Sequence, residues 1–178
     1  AQFQFLGPVR PSDDPNNMSL VLRITYGDTS FLFTGDAERD EEADILKAGY
    51  PLKSTVLKAG HHGSETSTSY PFLRAVAPQY GVISCGAGNS YGHPHAETVA
   101  RLKEAGVTIY RSDADGTVVI ATDGETLYYD GSFLSERYLR SRTAVDRAYL
   151  HVLLHCMLRH LWKKRGRAPE LWDLACDV

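Results

Sequence analysis

The sequence has few cysteines and no long apolar run. Its three cysteines are an odd number without a CxxC pair, which argues against a disulfide framework and is typical of free thiols. No segment approaches the roughly 20 apolar residues that span a bilayer. The first residues lack the basic and apolar regions of a signal peptide. We therefore expect no membrane segment and no signal peptide in this chain. The localisation stays unknown, although the cysteine usage is compatible with the cytoplasm.

A strong overall charge is also missing. The net charge of -3 gives no global basic field of the kind that attracts nucleic acid. The charge is uneven, however, because residues 1–135 carry -7 and residues 136–178 carry +4. The length of 178 residues and the 43% hydrophobic content suit about one domain with a buried core. We predict two parts, an α/β domain over residues 1–131 and a helical segment over residues 132–178.

Alternating strand and helix patterns predict the α/β class. Strands at residues 19–26 and 30–34 should form one hairpin, and residues 117–129 should form a second. Between the hairpins, three strands and three helices are predicted; the strands lie at 55–59, 80–85 and 107–110, and the helices at 38–47, 70–77 and 96–105. Residues 7–17 are predicted to be a loop and residues 113–116 a turn. The first helix should bury Ala43, Ile45 and Leu46.

Three of the predicted apolar segments end in glycine followed by a residue that can bind metal. Asp36, His61 and His93 hold these positions, with His62 and His95 close by. Carboxylates and imidazoles are ligands of zinc and manganese. Strand ends meet at one edge of an open α/β sheet, so these side chains are expected to converge. Each histidine alone would more often be a helix cap or a locally satisfied polar group.

Four motifs in order carry a resemblance to a known family. They are NNMSLVL at 16–22, FTGDAE at 33–38, GHHGS at 60–64 and YGHPH at 91–95. The chain over about residues 5–130 resembles the metallo-β-lactamase-fold hydrolases, in the ComEC-like branch of bacterial competence and DNA-uptake proteins. The resemblance implies the C-terminal half of an αββα sandwich with a metal site at the sheet edge.

The resemblance also implies roles for individual residues. Asp36 would bridge two metal ions and His61 would be a late histidine ligand, with Zn²⁺ or Mn²⁺ as the cofactor. The catalytic set would be Asp36, His61, His93 and His95, and the substrate contacts would be His62, Ser64 and Tyr91. In this family a metal-activated water attacks an ester, often a phosphodiester. Nucleic acid is the substrate class and partner that the resemblance favours.

The chain departs from the family at its start, because the upstream HxHxDH-type motif is missing. A two-metal site needs more ligands than Asp36 and His61. We therefore expect weak or absent metal binding and no hydrolysis by this chain alone. A complementing N-terminal half or self-association would be the expected partner, since half of a sandwich exposes an apolar face.

The tail carries a second resemblance. Residues 136–164 are basic with an apolar stripe of helical period, and His151 and His155 lie one turn apart. Residues 147–155 and 171–177 resemble a metallopeptidase-type domain that accompanies von Willebrand A-type domains. The resemblance implies His151, His155 and Asp177 as zinc ligands. Val152 occupies the position of the HExxH glutamate, so peptide hydrolysis is not expected. The alternative is an amphipathic helix whose histidines pack.

Two functions therefore stay open from the sequence. The first is a metal-dependent hydrolase acting on phosphodiesters. The second is a non-catalytic binding or assembly module that uses the basic helical tail to hold a partner.

Overall fold

A six-stranded mixed sheet runs through residues 1–129, the part of the chain that the computed structural model describes. Its strands follow one another in space as in sequence: β1 (Gln2–Gly7), β2 (Val21–Tyr26), β3 (Thr29–Phe33), β4 (Val56–Lys58), β5 (Tyr80–Ile83) and β6 (Thr108–Arg111). The strands β1, β2 and β3 pair antiparallel, whereas β3 to β6 pair parallel. The predicted α/β class is confirmed in this mixed form.

Helices connect the parallel strands. They are α1 (Arg39–Ala48), α2 (Tyr70–Val76), α3 (Ala96–Glu104) and the single-turn α4 (Ser112–Asp115). The helix α1 ends at Gly49, whose φ of 73° lies in the left-handed region that glycine adopts without a Cβ penalty. Pro71 stands in the first turn of α2, where its missing N–H costs no hydrogen bond. The three longer helices lie within about one residue of their predicted bounds at either end.

The helices cover one face of the sheet. One apolar cluster joins side chains of the central strands to side chains of α1, α2 and α3, namely Leu32, Leu57, Ile83, Ile45, Phe72 and Leu102. Parallel strands added in chain order with right-handed crossovers place their helices on the same face. The strand register assigns Phe3, Phe5, Phe31 and Phe33 to the opposite face. Phe3 and Phe5 are 44% and 48% exposed there.

A two-stranded hairpin closes the described region. It consists of β7 (Ile120–Thr122) and β8 (Leu127–Tyr129), as the sequence predicted. The ring of Tyr129 stacks on that of Tyr110 in β6, with centroids 3.9 Å apart. The backbone N–H of Asp28 donates to the carbonyl of Gly124 at 2.6 Å. The hairpin therefore contacts the main sheet at β6 and at the β2–β3 turn.

Three local predictions were wrong or incomplete. The strand β1 was not predicted, because its residues are mostly exposed and its pairing with β2 is long-range. The predicted turn at 113–116 is mostly the helical turn α4. The predicted loop at 7–17 ends in a 3-10 turn, Asn16–Met18.

The buried side of α1 differs from the prediction. Ala43 is exposed, whereas Glu41 and Glu42 are buried together with Ile45. The carboxylate of Glu42 accepts the backbone N–H groups of Thr68 and Ser69 at 2.5 and 2.8 Å. Burial raises the pKa of both glutamates. The inward side of α1 thus combines the apolar side chain of Ile45 with carboxylates whose burial is offset by hydrogen bonds to neighbouring loops.

No helix within residues 1–129 is long and apolar enough to cross a membrane. The tail residues His151, His155 and Asp177 lie outside the described residues, as does the helix predicted for 136–164. The boundary predicted near residue 131 stays a prediction.

Candidate functional site

Three strand ends bring their polar side chains together. Asp36 follows β3, His61 and His62 follow β4, and His93 follows β5. The ring centroid of His93 lies 5.5 Å from that of His61 and 6.1 Å from that of His62. The Nε2 atom of His62 is 3.6 Å from Oδ1 of Asp36. These four residues form the histidine–carboxylate cluster.

The turn after β3 aims Asp36 into this cluster. Gly35 has a φ of 55°, and a Cβ at this position would come within 3.0 Å of the Ser19 side chain. The hydroxyl oxygen of Ser19 accepts the backbone N–H of Asp36 at 3.0 Å. Glycine is therefore required here both by its backbone conformation and by the close approach of Ser19.

The turn after β4 holds two histidines in the left-handed region. His61 has a φ of 44° and His62 a φ of 54°. This conformation costs roughly 1–2 kcal/mol for each residue that has a Cβ. Two backbone hydrogen bonds hold it, from His61 N–H to the Gly35 carbonyl at 3.0 Å and from Ser64 N–H to the His61 carbonyl at 2.8 Å. Such strain concentrates at sites where side-chain direction matters.

His62 presents a lone pair to Asp36. Its Nδ1 atom lies 2.7 Å from the carbonyl oxygen of Ser84, and a carbonyl only accepts. Nδ1 therefore carries the proton, and Nε2 of the neutral ring is an acceptor. It faces another acceptor, the Asp36 carboxylate, at 3.6 Å. The gap between these two acceptors would admit a cation.

His61 is bound to a different carboxylate. Its Nδ1 atom lies 3.0 Å from Oε1 of Glu38. The sequence paired Asp36 with His61, whereas the structure places His62 against Asp36 and His61 against Glu38. Both imidazoles nevertheless belong to one cluster, since their ring centroids are 6.2 Å apart.

His93 and His95 occupy different environments. The Nδ1 atom of His95 accepts the backbone N–H of Glu65 at 3.0 Å, and its Nε2 lies 3.3 Å from the carbonyl of Tyr91. Both ring nitrogens of His95 are thus used to join two loops. Burial and the neighbouring histidines lower the pKa of His93. Its ring also stacks on Tyr91, with centroids 5.8 Å apart.

Tyr91 and Ser64, the remaining predicted substrate contacts, differ in exposure. Tyr91 is 78% exposed beside the cluster. Ser64 is buried, and its hydroxyl lies 2.9 Å from that of Thr66. The Ser64 hydroxyl therefore bonds within its own loop.

A lysine completes the polar surroundings. The Lys58 ammonium donates to the carbonyl of Ala59 at 2.9 Å. Burial lowers the pKa of Lys58, and the negative charge of Asp36 opposes this shift. The charge of Asp36 therefore acts on the ammonium group at the end of β4.

The cluster fits a divalent cation in donor type but not in number. Zinc binds histidine nitrogen and carboxylate oxygen at about 2.0–2.2 Å, so two ligands of one ion can lie as far apart as His62 and Asp36. Within residues 1–129, however, no group of three or more His, Cys, Asp or Glu side chains could hold a metal ion. The described residues by themselves therefore do not form a complete metal site.

Sequence reasoning missed Glu38 and Asn16 as site residues. Both stand inside the quoted motifs, Asn16 in NNMSLVL and Glu38 two residues after Asp36 in FTGDAE. The carboxylate of Glu38 accepts from Asn16 and from His61. Their positions within the motifs were the only signal in the sequence that could have indicated them. The contact between Asn16 and Glu38 joins residues 22 positions apart.

Fold and site together define a mixed α/β protein with a histidine–carboxylate cluster at the carboxyl ends of parallel strands. Comparison with known proteins finds similarity to bacterial competence proteins. The chain is 38% identical over 120 residues to ComE operon protein 3 of Bacillus subtilis, covering 66% of this chain and 15% of that protein. It is 42% identical over 118 residues to competence protein ComA of Neisseria gonorrhoeae, covering 65% and 17%.

A third relative is recombination protein 2 of Haemophilus influenzae, 38% identical over 121 residues, with coverage of 66% and 14%. The chain thus spans less than a fifth of the length of each of these relatives. Residues 97–178 match a family described as "Putative metallopeptidase domain". This match begins inside α3 and continues through the tail, so most of it lies outside the described residues.

Proposed function

We propose that this chain forms part of a metal-dependent hydrolase of the metallo-β-lactamase fold, in the ComEC-like branch, that cleaves phosphodiesters such as those of nucleic acid. The observation that carries the proposal is the facing pair of acceptors, Nε2 of His62 and Oδ1 of Asp36, 3.6 Å apart at the ends of neighbouring strands. The similarity to competence and recombination proteins supports the nucleic-acid direction. The metallopeptidase description of the second match supports a metal cofactor.

Asp36 and His62 would hold the cation, Zn²⁺ or Mn²⁺, with further ligands from outside the described residues. A bound divalent cation supplies Lewis-acid polarisation of the scissile phosphate and a nucleophilic water at neutral pH. The Ser84 carbonyl keeps the Nε2 lone pair of His62 directed at Asp36. Second-shell hydrogen bonds of this kind fix the orientation of metal ligands.

The substrate side of the site would be formed by His93 and Tyr91. Burial and the neighbouring histidines lower the pKa of His93, which favours the neutral ring, and a neutral imidazole has one nitrogen that accepts a hydrogen bond. Tyr91 extends the ring stack outward into solvent. His95 would shape this edge by joining the loops that carry Tyr91 and Glu65.

The open face of the sheet would receive the second half of an αββα sandwich. Phe3 and Phe5 are exposed on the face opposite the helices, and the β7–β8 hairpin already lies against the main sheet. A complementing N-terminal half, or a second copy of the chain, would bury this surface. The missing ligands would come from the same complementing half.

A second candidate function is a non-catalytic binding or assembly module with a basic helical tail. The specific observation in its favour is the lack of a three-ligand group within residues 1–129. In this case the cluster holds no cation and serves only to join β3, β4 and β5.

The test uses the purified 178-residue chain loaded with Zn²⁺ or Mn²⁺. Metal content is measured by mass spectrometry, and hydrolysis with bis-p-nitrophenyl phosphate. The hydrolase predicts bound metal that is lost in both Asp36→Asn and His62→Gln, whereas the exposed Asp40→Asn on α1 retains it. Because residues 1–129 contain no group of three ligands, turnover should appear only on addition of the complementing N-terminal half of the fold, taken from a relative. A protein that binds no metal even in that complex supports the assembly module instead.

A further inference from the structure

We propose that Glu38 is a positioning residue that fixes the ring of His61 as the Nδ1–H tautomer and thereby directs its Nε2 lone pair away from α1. Its importance for catalysis rests on the proposed function. The hydrogen-bond arrangement itself does not depend on the proposed function, and it can be measured in a protein that hydrolyses no substrate.

One oxygen of Glu38 accepts from three different segments. Its Oε1 atom lies 3.0 Å from His61 Nδ1, 2.9 Å from Thr66 Oγ1 and 3.2 Å from Asn16 Nδ2. An ionised carboxylate has no proton to give, so each partner must be the donor. His61 therefore carries its proton on Nδ1, and Nε2 of the neutral ring keeps its lone pair.

The direction of the neighbouring hydroxyl bonds follows from this. Thr66 gives its single hydroxyl proton to Glu38, so Ser64 must donate in the 2.9 Å contact between the two hydroxyls. The Ser64 oxygen in turn accepts the backbone N–H of Thr66 at 3.3 Å. A series of hydrogen bonds thus runs from Ser64 through Thr66 to Glu38, and the donor of each bond is defined. The Glu38 oxygen at its end also accepts from His61.

The backbone of Glu38 is itself held in place. Glu38 is the residue before α1, where the helix dipole favours a negative charge. Its N–H donates to Oδ1 of Asn17 at 3.2 Å, and the same oxygen accepts the N–H of Glu41 at 3.3 Å. Asn17 therefore caps α1, and its neighbour Asn16 contacts the Glu38 carboxylate directly.

This arrangement gives a structural role to Ser64 and Asn16, two residues to which the proposed hydrolysis assigns no role. Ser64 is buried, and Asn16 lies before β2. Asn16 donates directly to the Glu38 oxygen that contacts His61, and Ser64 is connected to that oxygen through Thr66. His62 has an independent anchor in the Ser84 carbonyl, so the two adjacent histidines are fixed by different elements.

The experiment measures histidine tautomers by long-range ¹H–¹⁵N correlation on the ¹⁵N-labelled chain at pH 8.5, above the ordinary titration range of imidazole. We expect His61 and His62 as Nδ1–H forms and His95 as the Nε2–H form. Glu38→Ala should release His61 into a mixture while His62 stays unchanged. Glu38→Gln should retain the Nδ1–H form, because its amide oxygen can still accept. The exposed Glu65→Ala is the matched control.

A His61 ring found as Nε2–H in the unaltered chain overturns the proposal, and this result does not depend on any variant folding. It is equally overturned if His61 keeps its tautomer in a folded Glu38→Ala chain. If the unaltered chain binds no cation even in complex with the complementing half, the proposed function fails while the tautomer result still decides the role of Glu38.

Discussion

His62 Nδ1 donates to the carbonyl oxygen of Ser84 across a distance of 2.7 Å. The bond joins the turn after β4 to the end of β5, and it leaves Nε2 of His62 facing Asp36 at the end of β3. Three strand ends are therefore connected through one imidazole ring. The ring reaches this position only because the backbone of His62 is left-handed.

The strain at His62 can be measured with a matched pair of substitutions. Both His62→Gly and His62→Ala remove the imidazole and its bond to Ser84. Glycine relieves the left-handed conformation and alanine does not, so the glycine variant should be more stable by about 1 kcal/mol. Urea unfolding measures the difference. A more stable alanine variant would show that the φ of 54° carries no strain, because alanine would then keep its usual advantage over glycine in the unfolded state.

A buried arginine should be essential for stability. Arg101 on α3 donates to the carbonyls of Ser67 and Thr68 at 2.7 and 2.6 Å. Arg101→Met leaves both carbonyls without this donor and should lower the free energy of unfolding by about 2–4 kcal/mol. The exposed Arg74→Met on α2 is the control and should change it by less than about 0.5 kcal/mol. Similar effects of the two substitutions in urea unfolding would contradict this account.

Acid should weaken the β7–β8 hairpin through Asp123. Its carboxylate accepts the backbone N–H of Thr126, the hydroxyl of Tyr128 and the backbone N–H of Glu125, which lowers the pKa of Asp123 to about 2. A pKa below the unfolded value of about 3.9 stabilises the fold above that pH. This contribution is lost as the pH falls from about 4 to 2.

The check is a pair of pH–stability curves. Asp123→Asn should be less stable than the unaltered chain at pH 6, and the two curves should converge as the pH approaches 2. Asp13→Asn, an exposed loop substitution, should follow the unaltered chain throughout. A constant difference between Asp123→Asn and the unaltered chain across this range would rule out the titration of Asp123 as the cause.

The exposed ring of Tyr91 should recognise a nucleobase if the proposed hydrolase acts on nucleic acid. Stacking of a base on an aromatic side chain is worth about 1–3 kcal/mol. In the metal-loaded complex with the complementing half, Tyr91→Ala should raise KM for thymidine 5′-p-nitrophenyl phosphate by about 5–150-fold, and Tyr91→Phe should not. Methyl p-nitrophenyl phosphate has no base and is the control substrate. An equal rise in KM for both substrates would refute base stacking.

The sequence was sufficient for the local elements of the fold. Glycine at the ends of apolar segments, proline in the first turn of α2 and alternating β-branched residues located most helices and strands within one or two residues. These signals are local, because each depends on backbone preferences of a few neighbouring residues. The exposed strand β1 lacked such a signal, since it exists through its pairing with β2.

Residue type and spacing also indicated which side chains would meet. Asp36, His61, His62 and His93 follow strand ends, and a parallel sheet gathers such ends at one edge. Which histidine faces Asp36 was decided only by tertiary structure, because two consecutive left-handed residues turn His62 toward Asp36 and His61 toward Glu38. The contacts that hold this arrangement join residues 22 or 23 positions apart along the chain, and no local pattern of sequence encodes such distances.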